Sequence, residues 1–249
     1  MEPTTYRATL ARLSAAGKPG RGAPPYSRWV NRRLGRWLAA VAYVLGLTPN
    51  QVTAISALFT MSSLVLVIAV PPQWWVGILV ALLLLFGYAL DSADGQLARL
   101  RGGGSKSGEW LDHVVDATKI GVMHSAVFIS FYRFDGERDI RVLVIPLVFM
   151  TASFVFFFGM ILTDQLRRSA AMQAGLTYSK PTGSGGGFQT LVALPTDYAV
   201  LCLSFVLLGF HDAFVIVYIV LAAAQTLITI AVLVRWWREL RRDDAASQR

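Results

Sequence analysis

Apolar residues along this chain gather into long runs separated by short polar stretches. A run of about 20 such residues matches a hydrocarbon core about 30 Å thick at 1.5 Å rise per residue. Six membrane-spanning helices are predicted on this pattern, near Thr53–Val70, Trp74–Leu100, Leu111–Phe134, Val142–Thr163, Asp197–Phe210 and Ala213–Trp236. The fifth is the shortest; Pro195 interrupts an earlier start near Phe188. Ahead of them, Tyr26–Leu45 carries Arg28, Arg32 and Arg36 every fourth residue, while Trp29, Trp37, Leu38 and Val41 fall on other faces. That pattern predicts an amphipathic helix lying in the bilayer interface.

Composition narrows the class. The chain is 55% hydrophobic and only 15% charged over 249 residues, with a mean hydropathy of +0.52. The expected fold is an all-α, polytopic membrane protein. Residues 1–25 are expected to be a basic, flexible N-terminus and 26–47 the interfacial helix. Residues 48–238 form the six-helix domain, and 239–249 a polar tail. No cleavable leader is evident, so the first span is expected to act as the insertion signal. Cys202, inside an apolar run, is the lone cysteine, which excludes an intrachain disulfide and a cysteine metal site.

The net charge of +8 sits beside the apolar runs. Aromatic residues are not interleaved with it as a base-stacking surface requires, so the expected partners are anionic lipid headgroups rather than nucleic acid. "PPQWW" and "GFHDAF" hold no Lys or Arg, whereas the N-terminus, the links after the second and fourth spans, and "RWWRELRR" are basic. This asymmetry predicts a cell-membrane protein with both termini on the cytoplasmic side. Locally, "LTPNQVT" predicts a helix start: Thr48 as N-cap, Pro49 first in the helix, and Gln51 closing a capping box. A ligand role for Asn50 stays open. "TYSKPTGSGGGF" reads as a flexible cytoplasmic linker.

The stretch "DSADGQLARLRGGGSKSGEWLDHVVD" changes the picture from architecture to chemistry. Asp91 lies about 17 residues beyond Trp74, or roughly 25 Å, just inside the cytoplasmic edge of the apolar core. Asp91, Asp94, Gly95 and Ala98 share one helical stripe, and Gly108, Asp112 and Asp116 share another on the next helix. The two helices are expected to be antiparallel neighbours with four carboxylates converging on one pocket. Four close carboxylates need compensation, and Lys119 and Arg99 are too few. A divalent cation is the natural counter-charge: Mg²⁺ first, with Mn²⁺ or Ca²⁺ also compatible with oxygen ligands, and room for two ions. His113 lies about 100° off the Asp112 stripe and reads as a neighbour of the site, its service as a ligand left open.

The pattern Asp-x-x-Asp-Gly-x-x-Ala-Arg followed by Gly-x-x-x-Asp-x-x-x-Asp resembles the signature of the CDP-alcohol phosphotransferase family. "DSADGQLAR" and "GEWLDHVVD" match it at Asp91, Asp94, Gly95, Ala98, Arg99, Gly108, Asp112 and Asp116. The resemblance implies transfer of a phospho-alcohol group from a CDP-linked lipid, such as CDP-diacylglycerol, to an alcohol acceptor, with release of CMP. It implies that Asp91, Asp94, Asp112 and Asp116 hold two Mg²⁺ ions, Mn²⁺ being an alternative. Asp116 doubles as the catalytic base, and Gly95, Ala98, Arg99 and Gly108 line the CDP site. Family members include homodimers, so a homodimer is compatible.

For the acceptor, Lys119, Arg167, Arg168 and Lys180 are candidate cations for an anionic alcohol, against the plainer reading of positive flanking charge. Asp164 and Asp197 are expected to cap helices or pair with arginines. "RLRGGGSKSG" resembles the matching link of phosphatidylinositol phosphate synthases. "GEWLDHVVD" resembles choline and ethanolamine phosphotransferases, which take diacylglycerol as acceptor. The rival from another class is a divalent-cation transporter or channel. Against it, the outer halves of spans two and three hold no acid, His124 and Ser125 being the polar exceptions.

Overall fold

A computed structural model describes residues 5–15, 26–134, 140–176, 178 and 197–247, and among these residues every regular element is helical. The helices are α1 (Tyr6–Ala15), α2 (Arg32–Val44, preceded by a π-helical turn at Ser27–Asn31), α3 (Pro49–Ala69), α4 (Trp74–Leu100), α5 (Lys106–Phe134), α6 (Ile140–Gln173), α7 (Tyr198–Ser204, continued as a 3₁₀ turn over Phe205–Leu207) and α8 (His211–Ser247). Helices α3, α4, α5, α6 and α8 are long and apolar enough to cross a membrane, and Tyr198–Leu207 is a shorter apolar helix. Leu58, Leu82, Phe158, Ile216 and Leu227 are each more than half exposed. Water would not tolerate so large an apolar surface on a monomer, whereas lipid solvates it.

Neighbouring helices run α4, α3, α5, α6, α8, α7 and back to α4, which closes a ring. One end of the ring is filled by apolar side chains, including Val80 and Leu84 of α4, Met123 and Val127 of α5, Phe149 of α6, and Phe205, Phe214 and Tyr218. His124 and Tyr218 meet there through a 2.6 Å hydrogen bond, so the one imidazole in this core has a polar partner. At the other end a second cluster joins Leu13, Ala39, Ala40 and Ala42 to Val52, Leu90, Ala93 and Leu97, seating α1 and α2 on α3 and α4.

Several local predictions reappear. Thr48 caps α3 with the full capping box: its hydroxyl accepts from Gln51 N and its own N–H donates to Gln51 Oε1 at 2.8 Å. Asp197 caps α7, accepting from Ala199 N at 3.1 Å, and also accepts from Tyr26 N at 3.2 Å. Asp164 pairs with Arg168 at 2.9 Å. Cys202 is a free, buried thiol.

Other expectations are corrected. Residues 6–15 lie in the stretch read as flexible, yet they form α1, because Leu13 is buried against α2 and Ser14 Oγ accepts from Arg36 Nη1 at 3.1 Å. Leu38 packs inward rather than toward lipid, while Trp29 and Trp37 stay exposed as expected. Helix α8 continues through the polar segment to Ser247, held there by ion pairs such as Arg235–Glu239 at 2.7 Å and Arg167–Glu239 at 2.5 Å. Helices α4 and α5 are not packed as neighbours; each packs extensively on α3 instead. The linker around residues 179–188 and any earlier start of the fifth span lie outside the described residues.

Packing of α3 on α4 depends on Gly87. A Cβ there would stand 2.7 Å from Thr60 Oγ1 and 3.1 Å from the Ser56 carbonyl, which already accepts no slack because Ser56 Oγ donates to Gly87 O at 2.8 Å. Gly87→Val should therefore lower stability by about 1–3 kcal/mol through overpacking. The check is the thermal midpoint in detergent, with the exposed Leu82→Val as the control that should shift little.

Candidate metal centre

Helix α4 ends on Gly102 and Gly103, whose φ values of +98° and +122° belong to glycine. Gly103 N donates to Ala98 O at 3.0 Å, closing the last turn. Ser105 then starts α5, its hydroxyl accepting from Gly108 N at 3.0 Å. Arg101 reaches across to donate to Leu47 O at 2.8 Å and fixes this turn to the α2–α3 link. The link thus sets two helix ends around α3, and the four acidic side chains project into the cleft between them.

Asp91, Asp94 and Asp112 come together: one oxygen from each lies within 4.8 Å of the others. Asp112, His113 and Asp116 form a second group on the same criterion. Two ligands of a six-coordinate Mg²⁺ ion, at 2.0–2.1 Å, are at most about 4.2 Å apart. A small rotamer change therefore brings either set into range, and the all-oxygen donor set of the first suits a hard divalent cation. Asp112 belongs to both groups. His113, expected as a neighbour of the site, does lie among the carboxylates, and its Nδ1 is buried without a hydrogen-bond partner among the described residues.

Charge in the cleft is balanced in part from within. Lys119 is buried, and its ammonium pairs with Asp91 and with Asp116, the latter at 3.3 Å. It is the internal counter-charge of the acidic cluster rather than a free cation for an acceptor. Asp94 is buried and accepts a 2.5 Å hydrogen bond from Thr53 Oγ1 of α3, a residue the sequence reading passed over. Its only clue is its place one turn after Pro49, where the capped start of α3 meets α4.

The cluster separates two cavities. The larger, about 700 Å³, is polar and is lined by Asp94, Asp112, Gly95, Ala98, Arg99 and Gly108, together with Asn50, Thr53, Lys106 and His113. All four residues expected to line a CDP site therefore face one space. Gly108 leaves it open: a Cβ would come within 3.3 Å of Asn50 Oδ1. The smaller, about 190 Å³, is lined by Asp91, Asp116 and Lys119 with Thr60, Tyr88, Ile120, Phe157 and Tyr198. A separate groove of about 1020 Å³, walled by Trp110, Val114, Phe154, Phe158 and Ile161, runs between α5 and α6 and meets the larger cavity at His113 and Arg168.

The remaining acceptor candidates are engaged elsewhere. Arg168 lines the larger cavity but pairs with Glu109 at 3.0 Å and with Asp164. Arg167 faces α8 through Glu239. Lys180 lies outside the described residues.

A family model for CDP-alcohol phosphatidyltransferases matches residues 46–237. The chain belongs to the CDP-alcohol phosphatidyltransferase family. Among relatives, the phosphatidylinositol phosphate synthase of Corynebacterium glutamicum is 34% identical over 90 residues, an alignment covering 36% of this chain and 39% of that protein. Crystal structures of the Mycobacterium tuberculosis phosphatidylinositol phosphate synthase share the fold. The one with CDP-DAG bound has a TM-score of 0.51 at 22% identity, covering 84% of this chain and 94% of that one. The one in complex with manganese and citrate has the same TM-score and identity, covering 80% and 87%. As a family member with several lipid-length apolar helices, the protein is a multi-pass membrane protein.

Removing Lys119 should expose the mutual repulsion of the carboxylates. Lys119→Met is expected to cost about 3 kcal/mol or more, as when one partner of a buried pair is lost. Millimolar Mn²⁺ should recover more thermal stability in this variant than in the parent, because the ion takes over the lost counter-charge. Equal metal-induced shifts in the two proteins would contradict this exchange of counter-charge, and no shift in either would contradict a metal site at this cluster.

Proposed function

We propose that the protein transfers a phosphatidyl group from CDP-diacylglycerol to a hydroxyl acceptor and releases CMP, as a step of phospholipid synthesis at the cytoplasmic face of the cell membrane. The observation that carries this reading is the meeting of Asp91, Asp94 and Asp112 beside the one cavity that Gly95, Ala98, Arg99 and Gly108 also line. A nucleotide diphosphate needs an open backbone wall and cations among the acids; this cavity has the first, and its carboxylates would hold the second. CDP-DAG bound in the mycobacterial relative supports the choice of donor, and manganese in the same relative supports a divalent cation.

Divalent cations, Mg²⁺ or Mn²⁺, held by Asp91, Asp94 and Asp112 and by Asp112 with Asp116, would neutralise the diphosphate and stabilise charge on the departing CMP. Arg99 gives the CDP end a fixed positive charge. Asp116, on the far side of the cluster, takes the proton of the acceptor hydroxyl. The acceptor oxygen forms a bond to the β-phosphorus, the bond from that phosphorus to the CMP oxygen breaks, and CMP leaves with the bonding pair. Lys119 holds Asp116 and Asp91 in place through its two ion pairs. A transport route is disfavoured, because the helix cores beyond the cluster are filled by Val80, Leu84, Met123 and Val127.

Asp116→Asn should lower metal-dependent CMP release by about 10³-fold or more while weakening CDP-diacylglycerol affinity less than loss of Asp94 or Asp112 does. Asp94→Asn and Asp112→Asn should weaken both. The measurement is CMP formation by protein in lipid nanodiscs with CDP-diacylglycerol and a mixture of alcohols. Full turnover by Asp116→Asn removes the base assignment; no CMP from the parent protein under any mixture removes the reaction.

A further inference from the structure

The cluster has two unlike faces. Asp94 and Asp112 face the large polar cavity, and Asp91 and Asp116 face the small one. Asp91 precedes Asp94 by three residues on α4, and Asp116 follows Asp112 by four on α5, so the second pair lies about 5 Å deeper in the bundle, away from the α4–α5 turn. If the diphosphate occupies the large cavity, the acceptor must reach Asp116 from the deeper side.

That deeper cavity is built for an uncharged guest. Its walls are the rings of Tyr88, Tyr198 and Phe157, with Ile120 and the Thr60 hydroxyl. Among the described residues Lys119 is the single cation lining it, and Lys119 already lies between two carboxylates. Arg167 and Arg168 do not line it; they pair with Glu239, Glu109 and Asp164. A phosphate placed there would be desolvated, would face Asp91 and Asp116, and would meet no unshared positive side chain among the described residues. A hydroxyl compound meets the opposite conditions. The Tyr198 hydroxyl is buried, and its one hydrogen-bonding neighbour among the described residues is the Cys202 thiol one turn on, a weak partner. A hydroxyl so weakly held beside the base is a ready contact for an alcohol.

We infer that the acceptor is an alcohol without a phosphate or other anionic group, bound between Tyr88 and Tyr198 with its reacting hydroxyl on Asp116. This rests on the transferase reading above and narrows it, and it parts company with the phosphorylated inositol implied by the names of the relatives.

The test uses the full-length protein in nanodiscs with CDP-diacylglycerol and Mn²⁺, CMP release being read against matched acceptors. One arm compares inositol with inositol phosphate, another glycerol with glycerol phosphate, and a third adds diacylglycerol as an uncharged lipid alcohol. The uncharged acceptors should release CMP at least tenfold faster than their phosphorylated counterparts, and comparison of the soluble and lipid arms identifies the source of the alcohol. Faster turnover with a phosphorylated acceptor overturns the inference and leaves the transferase reading standing; CMP from no arm overturns both. Tyr198→Phe should raise KM for the acceptor about tenfold with kcat and the KM for CDP-diacylglycerol within twofold. Unchanged acceptor KM, or both KM values rising together, removes Tyr198 from the acceptor site.

Discussion

Everything in this protein is arranged around the compensation of four carboxylates in a place where water is scarce. Asp91, Asp94, Asp112 and Asp116 cannot all stand charged in one cleft without opposing charge. The chain supplies one positive charge from Lys119 and eases Asp94 with a hydrogen bond from the Thr53 hydroxyl. The shortfall suits the cleft to a divalent cation, which in the proposed reaction would in turn hold a diphosphate. A site with full internal compensation would have no such appetite, and one with none would not fold around buried acids.

Helix α3 is the second determinant. By packing on both α4 and α5 it keeps them apart at their acidic ends, so that side chains, not backbones, meet across the gap. Two glycines carry close approaches in this layer: Gly87 brings α4 against Ser56 and Thr60, and Gly35 brings α2 against Ser92, where a Cβ would stand 2.7 Å from the hydroxyl oxygen. Gly95 and Gly108 serve differently. A Cβ at Gly95 would meet only Arg99 at 3.5 Å, so the absence of a side chain there keeps a cavity wall flat rather than joining two helices. The capped, hydrogen-bonded ends around the Gly102–Gly104 turn make this gap a fixed part of the scaffold.

In the reaction proposed above, the separation into two cavities would give the transfer a direction. A donor carrying phosphates would be held where the walls are polar and open to the α4–α5 turn, and an alcohol where they are aromatic. The carboxylates between them line both.

The sequence by itself determined the class, the elements and the chemistry. Long apolar runs can only be helices when no water satisfies the backbone, and Trp74–Leu100 was placed to the residue. The Thr48 cap was legible because capping is local. The spacing of Asp91, Asp94, Asp112 and Asp116 was enough to pair them, since helical periodicity puts each pair on one face. Only the tertiary structure decided what those faces meet. Lys119 could be placed near the cluster from its position on α5, but its pairing with Asp91, 28 residues away on another helix, could not. Thr53 and Tyr198 showed no signal, being 41 residues from Asp94 and 82 from Asp116. Whether Arg167 and Arg168 were free depended on Glu239 and Glu109, brought to them by α8 and α5. Periodicity reports the direction a side chain takes from its own axis; charge partners and cavities belong to the space between axes, which only packing creates.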